Sequence, residues 1–129
     1  MTTGAISVIL ALHHAVKHRD KSSVETLLDG LTPDQQLQLL FTRDSYGDTA
    51  LHVAARNGYT ETVKALLEIL TPEQQLKILS VENRYGNNAS QETARNYRTT
   101  DTITALVQYQ IEADYRVNFG KFASLTNNF

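Results

Sequence analysis

Four histidines are the residues best suited to chemistry in this chain: His13, His14, His18 and His52. An imidazole titrates near neutral pH and can bind a metal, so each is weighed as a catalytic or ligand residue. His14 and His18 stand four apart, on one face of a helix, and could make half of a metal site. The chain has no cysteine, and no carboxylate cluster nearby completes the set. A structural or solvated role is expected for both, with no metal. The sequence also lacks a Gly-x-x-x-x-Gly-Lys loop, a Gly-x-Ser-x-Gly turn and a His-Glu-x-x-His helix. No catalytic residue and no cofactor is assigned, and the chain is read as a non-enzyme.

The remaining composition narrows the class further. With 129 residues, 41% hydrophobic and 20% charged, the chain is one globular domain's worth. A formal net charge of −2 gives no basic field for nucleic acid or an acidic membrane. The absence of cysteine excludes disulfides and thiol chemistry, and fits a reducing, cytoplasmic setting. Ile6–Leu12 is apolar but far too short to span a bilayer, and it lacks the basic start of a signal peptide. It reads as part of a helix over Gly4–His18.

The elements that must position these residues repeat. Laid on residues 50–88, residues 11–49 match at 16 positions of 39, and self-similarity at such a period marks an array. Ala11-Leu12-His13 falls on Ala50-Leu51-His52, and Val24, Leu27 and Leu28 fall on Val63, Leu66 and Leu67. Tyr46-Gly47 falls on Tyr85-Gly86. In the central copy Tyr46-Gly47-Asp48 is a turn signal, and Thr49 is a good N-cap. Ala54 and Ala55 let a neighbouring helix approach closely. Asn57-Gly58 ends the helix, and Thr60 or Thr62 can cap the next. There Val63, Leu66, Leu67 and Leu70 share one helical face. Leu-Thr-Pro-Asp-Gln-Gln-Leu at 31–37 and Leu-Thr-Pro-Glu-Gln-Gln-Leu at 70–76 each predict a further short helix. In each, threonine is the N-cap, proline the first helical residue and glutamine completes a capping box.

Tyr46–Leu67 resembles one ankyrin repeat. Thr49-Ala50-Leu51-His52 stands where that family carries its T-P-L-H signature, and Ala54-Ala55, Gly58, Val63, Leu66 and Leu67 match as well. The resemblance implies an all-α solenoid of helix-turn-helix units, here with a short extra helix per repeat and capped ends. The expected division is an N-terminal capping repeat over 1–42, a central repeat over 43–81, a C-terminal capping repeat over 82–119 and a tail over 120–129. In the first unit Arg19 replaces the turn glycine, so that turn is expected to be built differently, with Asp20 or Ser22-Ser23 capping the second helix. In the last unit an inserted residue near Asn87-Asn88 brings Ala94 onto Ala54, with Gln91 for the leucine and Glu92 for the histidine. Ile103, Ala105, Leu106 and Val107 then resume the apolar stripe. The helix is expected to end about Tyr115. Its aromatic tail folds back over the last helix, or is otherwise a mobile segment.

The resemblance also implies a function. Ankyrin arrays bind proteins through turn tips and the inner helical face, so another protein is the expected partner, with no nucleic acid and no membrane, and the chain is expected to be a monomer. The positions that carry over are Arg43, Asp44, Ser45, Tyr46 and Asp48 in one turn, and Asn83, Arg84, Tyr85, Asn87 and Asn88 in the next. Arg56 and Asn57 join them at the end of an inner helix, with Arg95 and Asn96 in similar places one unit on. Tyrosine and arginine are enriched among binding hot spots because they bury much area and keep a polar tip. Charges here are mixed, so no partner of one strong sign is indicated. His13 and His52 fall on the family histidine that bonds turn backbone. Alternatives within the resemblance are an effector delivered by an intracellular bacterium into the host cytosol, the recognition domain of a larger protein, and a structural spacer.

Overall fold

Hydrogen bonds at the helix starts fix most of the architecture. The computed structural model describes residues 11–95 and 99–126, and helices are the only regular structure among them. Thr32 and Thr71 each accept a hydrogen bond from the N–H three residues on, while Gln35 and Gln74 accept one from the threonine N–H. These capping boxes open α3 (Pro33–Phe41) and α6 (Pro72–Ser80), the extra helices expected from the sequence. The neighbouring glutamines do separate work. Gln36 and Gln75 donate from Nε2 to the carbonyls of Leu28 and Leu67 at 2.7 and 2.8 Å. Carbonyls at a helix end lack intrahelical partners, and these side chains supply them.

The other helices are α1, helical over 11–17, α2 (Lys21–Asp29), α4 (Ala50–Arg56), α5 (Thr60–Glu68), α7 (Ala89–Thr93) and α8 (Thr100–Thr126). α4 packs on α7 and on α5, α2 packs on α5, and α8 closes against α5, α6 and α7. One apolar core runs through the stack, from Leu12 and Val16 through Val24, Leu28, Leu51, Val63, Leu66 and Leu67 to Leu106. Ala54 and Ala55 are fully buried, which is where close approach demands small side chains.

Five local expectations are corrected. The Arg19 turn is built like the Gly58 turn. Arg19 has φ 57° and Gly58 φ 71°. The N–H groups of Arg19 and Asp20 bond Val16 and Ala15, as those of Gly58 and Tyr59 bond Ala55 and Ala54. The Arg19 guanidinium lies 5.5 Å from the Tyr59 ring centroid. Asp20 caps α2, through the N–H of Ser23. Neither Thr60 nor Thr62 caps α5. Tyr59 holds the N-cap position without a side-chain cap bond, Thr60 pairs with the hydroxyl of Thr102 at 2.8 Å, and Thr62 is buried.

The third repeat contains no insertion. Asn88 caps α7 in a capping box with Gln91, the register of Thr49 with His52. Gln91 therefore takes the histidine's place and Glu92 that of Val53, while buried Thr93 stands for Ala54 and Ala94 is the exposed C-cap. Finally, the tail does not fold back. α8 is a single helix of 27 residues, about 40 Å long at 1.5 Å per residue, and the expected 119/120 boundary falls inside it. Ala105 and Leu106 are buried as expected, but Ile103 and Val107 are 41% and 44% exposed. The readings of Gly4–Leu10, of Asn96 and of the last three residues lie outside the described residues.

Candidate functional site

Two turns of the same construction project between the helices. Asp44 Oδ1 accepts the N–H groups of Tyr46 and Asp48 at 2.9 and 3.0 Å. Asn83 Oδ1 accepts those of Tyr85 and Asn87 at 3.0 and 3.1 Å. A short polar side chain bonding its own backbone two residues on is what holds such a turn. Gly47 and Gly86 then take φ 75° and 76°, a conformation open to glycine at low cost. The N–H of Arg84 donates to the carbonyl of Tyr46 at 3.0 Å, so the two tips are bonded side by side.

Histidines stitch each turn to the helix before it. His52 is fully buried, and its Nδ1 accepts the N–H of Thr49 at 3.2 Å. Its Nε2 therefore carries the proton and donates to the carbonyl of Asn87 at 3.0 Å. His13 makes the same bridge to the carbonyl of Asp48 at 3.2 Å. Gln91 keeps only the local half of that task, bonding the N–H of Asn88 at 2.8 Å.

Beneath the tips lies a network of charges. Arg56 donates from Nη2 to Asp48 at 2.7 Å and from Nε to Glu92 at 2.9 Å. Asn83 Nδ2 bridges the same two carboxylates, at 2.9 Å to Asp48 and 2.6 Å to Glu92. Asn87 Nδ2 reaches Glu92 at 3.2 Å. Burial pushes the Glu92 carboxyl up, but hydrogen bonds from Arg56, Asn83 and Asn87, with the charge on Arg56, outweigh it and hold it at about 2. Burial likewise works against the charged form of Arg56, and its two carboxylate partners raise it overall. Among the described residues no buried side-chain nitrogen or oxygen lacks a hydrogen-bond partner, which is how a buried ion cluster is tolerated.

The expected binding residues therefore separate into two groups. Asp44, Asp48, Arg56 and Asn87 belong to the framework. Asp48 and Glu92, at 1% and 0% exposure, are turned inward. Tyr46 and Tyr85 stand outward, each 59% exposed, and Arg95 lies 5.0 Å over the Tyr85 ring. Ser45, Arg84 and Asn57 are exposed, and Arg43 spans the tips by donating to the carbonyl of Glu82 at 3.3 Å. An open groove of about 810 Å³ runs between α1, α4 and the first tip, lined by His14, Lys17, Tyr46, Val53 and Arg56 among others. Glu92 was missed as a functional part of the sequence. The signal was a carboxylate in the slot that Val53 fills one repeat earlier. His14 and His18 do come together, with ring centroids 4.2 Å apart. Among the described residues no group of three or more metal-ligating side chains gathers there or elsewhere.

Stacked helix-turn-helix units with histidine-bridged turns define a repeat solenoid. A family model described as Ankyrin repeats (3 copies) matches residues 12–119, and the chain belongs to the ankyrin repeat family. A search of curated proteins gives no match. Ankyrin repeats are in general protein–protein interaction modules and are typically non-catalytic. Among the described residues no helix is long and apolar enough to cross a membrane.

Proposed function

We propose that this chain is a non-catalytic binding module that holds a partner protein across its turn tips and the groove beside them. The observation that carries this reading is the pair Tyr46 and Tyr85. Both rings are 59% exposed, yet their backbones are pinned by a side-chain cap, a glycine turn and the bond between the tips. A large side chain on a rigid mount loses little entropy on binding, which is the character of a hot spot. Arg43, Ser45 and Arg84 flank the rings, and Arg56 and Asn57 close the groove floor. The binding face works in a reducing, cytoplasmic setting, in keeping with a chain that has no cysteine.

The test is an affinity capture from lysate with the native chain and with Tyr46→Ala/Tyr85→Ala. Circular dichroism must first give matching melting curves. A specific protein held by the native chain and lost by the variant supports the assignment. The same protein held by both would move the interface off the tips.

A further inference from the structure

We infer that α8 is a self-association surface, pairing antiparallel with α8 of a second copy of this chain. Ile103, Val107, Ile111, Tyr115 and Phe119 are 41%, 44%, 63%, 66% and 55% exposed, and they recur every fourth residue. They form one continuous ridge on the side of α8 away from Thr102, Leu106 and Ala113, which are buried against the repeats. Among the described elements no further repeat packs on this side of α8, and an uncovered repeat face is ordinarily polar. This face is apolar instead, and the stacked rings of Tyr115 and Phe119, 5.7 Å apart, extend the ridge beyond the last buried contact.

Three properties of the ridge select a second copy as its occupant. The first is geometry. Rows spaced by four residues interdigitate with rows of the same kind, at a crossing of about −50°, and a second copy brings such a row. A two-fold axis at Ile111 sets that residue against its counterpart and Val107 against Tyr115 of the other copy, the self-matching contact of a closed dimer. The second is charge. Along α8 the acids Asp101, Glu112 and Asp114 all precede the bases Arg116 and Lys121, and all five are exposed. Glu112 and Arg116 pair within the helix at 3.2 Å. With the axis at Ile111, antiparallel packing sets Lys121 of each copy against Asp101 of the other, where parallel packing sets like against like. The third is area. Five side chains, each leaving roughly 100 Å² in water, set a ceiling of about 1,000 Å² removed in total from a pair, the low end for a specific interface. The dimer is therefore weak, with dissociation in roughly the micromolar range. This inference differs from the monomer expected from the sequence and is independent of the tyrosine tips.

Sedimentation velocity on the full chain, across concentrations from about 1 to 500 μM, reads the association directly. A concentration-dependent shift from monomer to dimer is expected. Ile111→Glu places a charge at the centre and should weaken dimerisation at least about tenfold, with an unchanged melting curve because Ile111 faces water. Orientation is read by cross-linking, since the native chain has no cysteine. A Val107→Cys chain mixed with a Tyr115→Cys chain should give the mixed cross-linked product in preference to either self-product. A native chain that stays monomeric throughout, or a dimer that survives Ile111→Glu, overturns the proposal; self-products alone overturn the antiparallel arrangement.

Discussion

Glu92 concentrates the electrostatics of the molecule in one side chain. Its carboxyl is fully buried and held at about 2 against an ordinary 4.5. A depressed carboxylate contributes stability that is complete above its unfolded value and is lost as pH falls through the folded one. The contribution is about 3 kcal/mol, so the native chain should lose that much between pH values near 4.5 and 2, and Glu92→Gln should flatten this part of the curve. Urea unfolding across the range checks it. Arg56 is the complementary case. Removing it leaves Asp48 and Glu92 buried around Asn83, with Arg95, 3.8 Å from Glu92, as the remaining cation, at a cost of about 3 kcal/mol at neutral pH. In Arg56→Met the Glu92 carboxyl loses its main lowering partner and is easier to protonate in the folded chain, so the deficit against native should shrink as pH falls from about 4.5 toward 2. A deficit that stays constant would show that Arg56 is not what holds Glu92 down. None of this was legible residue by residue. Arg56 and Asp48 looked like surface contacts because their partners come from a third segment, and Glu92 is 36 positions from Arg56.

The elements themselves were largely written in the sequence. The paired Thr-Pro-x-Gln-Gln motifs gave the extra helices, since both the cap and the proline act within four residues. Thr49 and Gly58 likewise gave α4 its two ends. Arg19 was not legible as a left-handed residue, because sequence alone assigns that conformation to glycine, whereas here the N–H groups of Arg19 and Asp20 close the end of α1 on Val16 and Ala15. The third repeat was misaligned because identity fails there while capping chemistry persists: Asn88 does the work of Thr49. Turn construction makes a prediction at this scale. Gly47 and Gly86 have nearly equal φ, but a Cβ on Gly47 would lie 2.9 Å from the Arg84 nitrogen, and one on Gly86 meets nothing within 4 Å. Gly86→Ala should cost about 1–2 kcal/mol, the conformational penalty alone. Gly47→Ala should cost more, because the second turn must also move. Equal losses in denaturant unfolding would mean that the two tips are not packed as described.

At the scale of the whole molecule, stability belongs to the contacts between repeats, since each unit packs mainly against its neighbours. Two kinds of damage should therefore look different. Leu66 is 1% exposed in the central repeat, with core on both sides. Leu66→Ala should cost roughly 2–5 kcal/mol and lower one shared melting transition, because both neighbours lean on α5. Asn83 sits instead at the joint between the central and third repeats. There it bridges Asp48 to Glu92 and caps the second turn, while α8 still holds α5 and α6 through its own apolar contacts. Asn83→Ala leaves two buried carboxylates short of a donor and frees the turn, so the loss is local. Native-state hydrogen exchange should show early opening of α7 and the second turn, with protection in α5 and α6 retained. Uniform loss of protection across the chain would mean that the polar joint carries the whole array and not its last repeat alone.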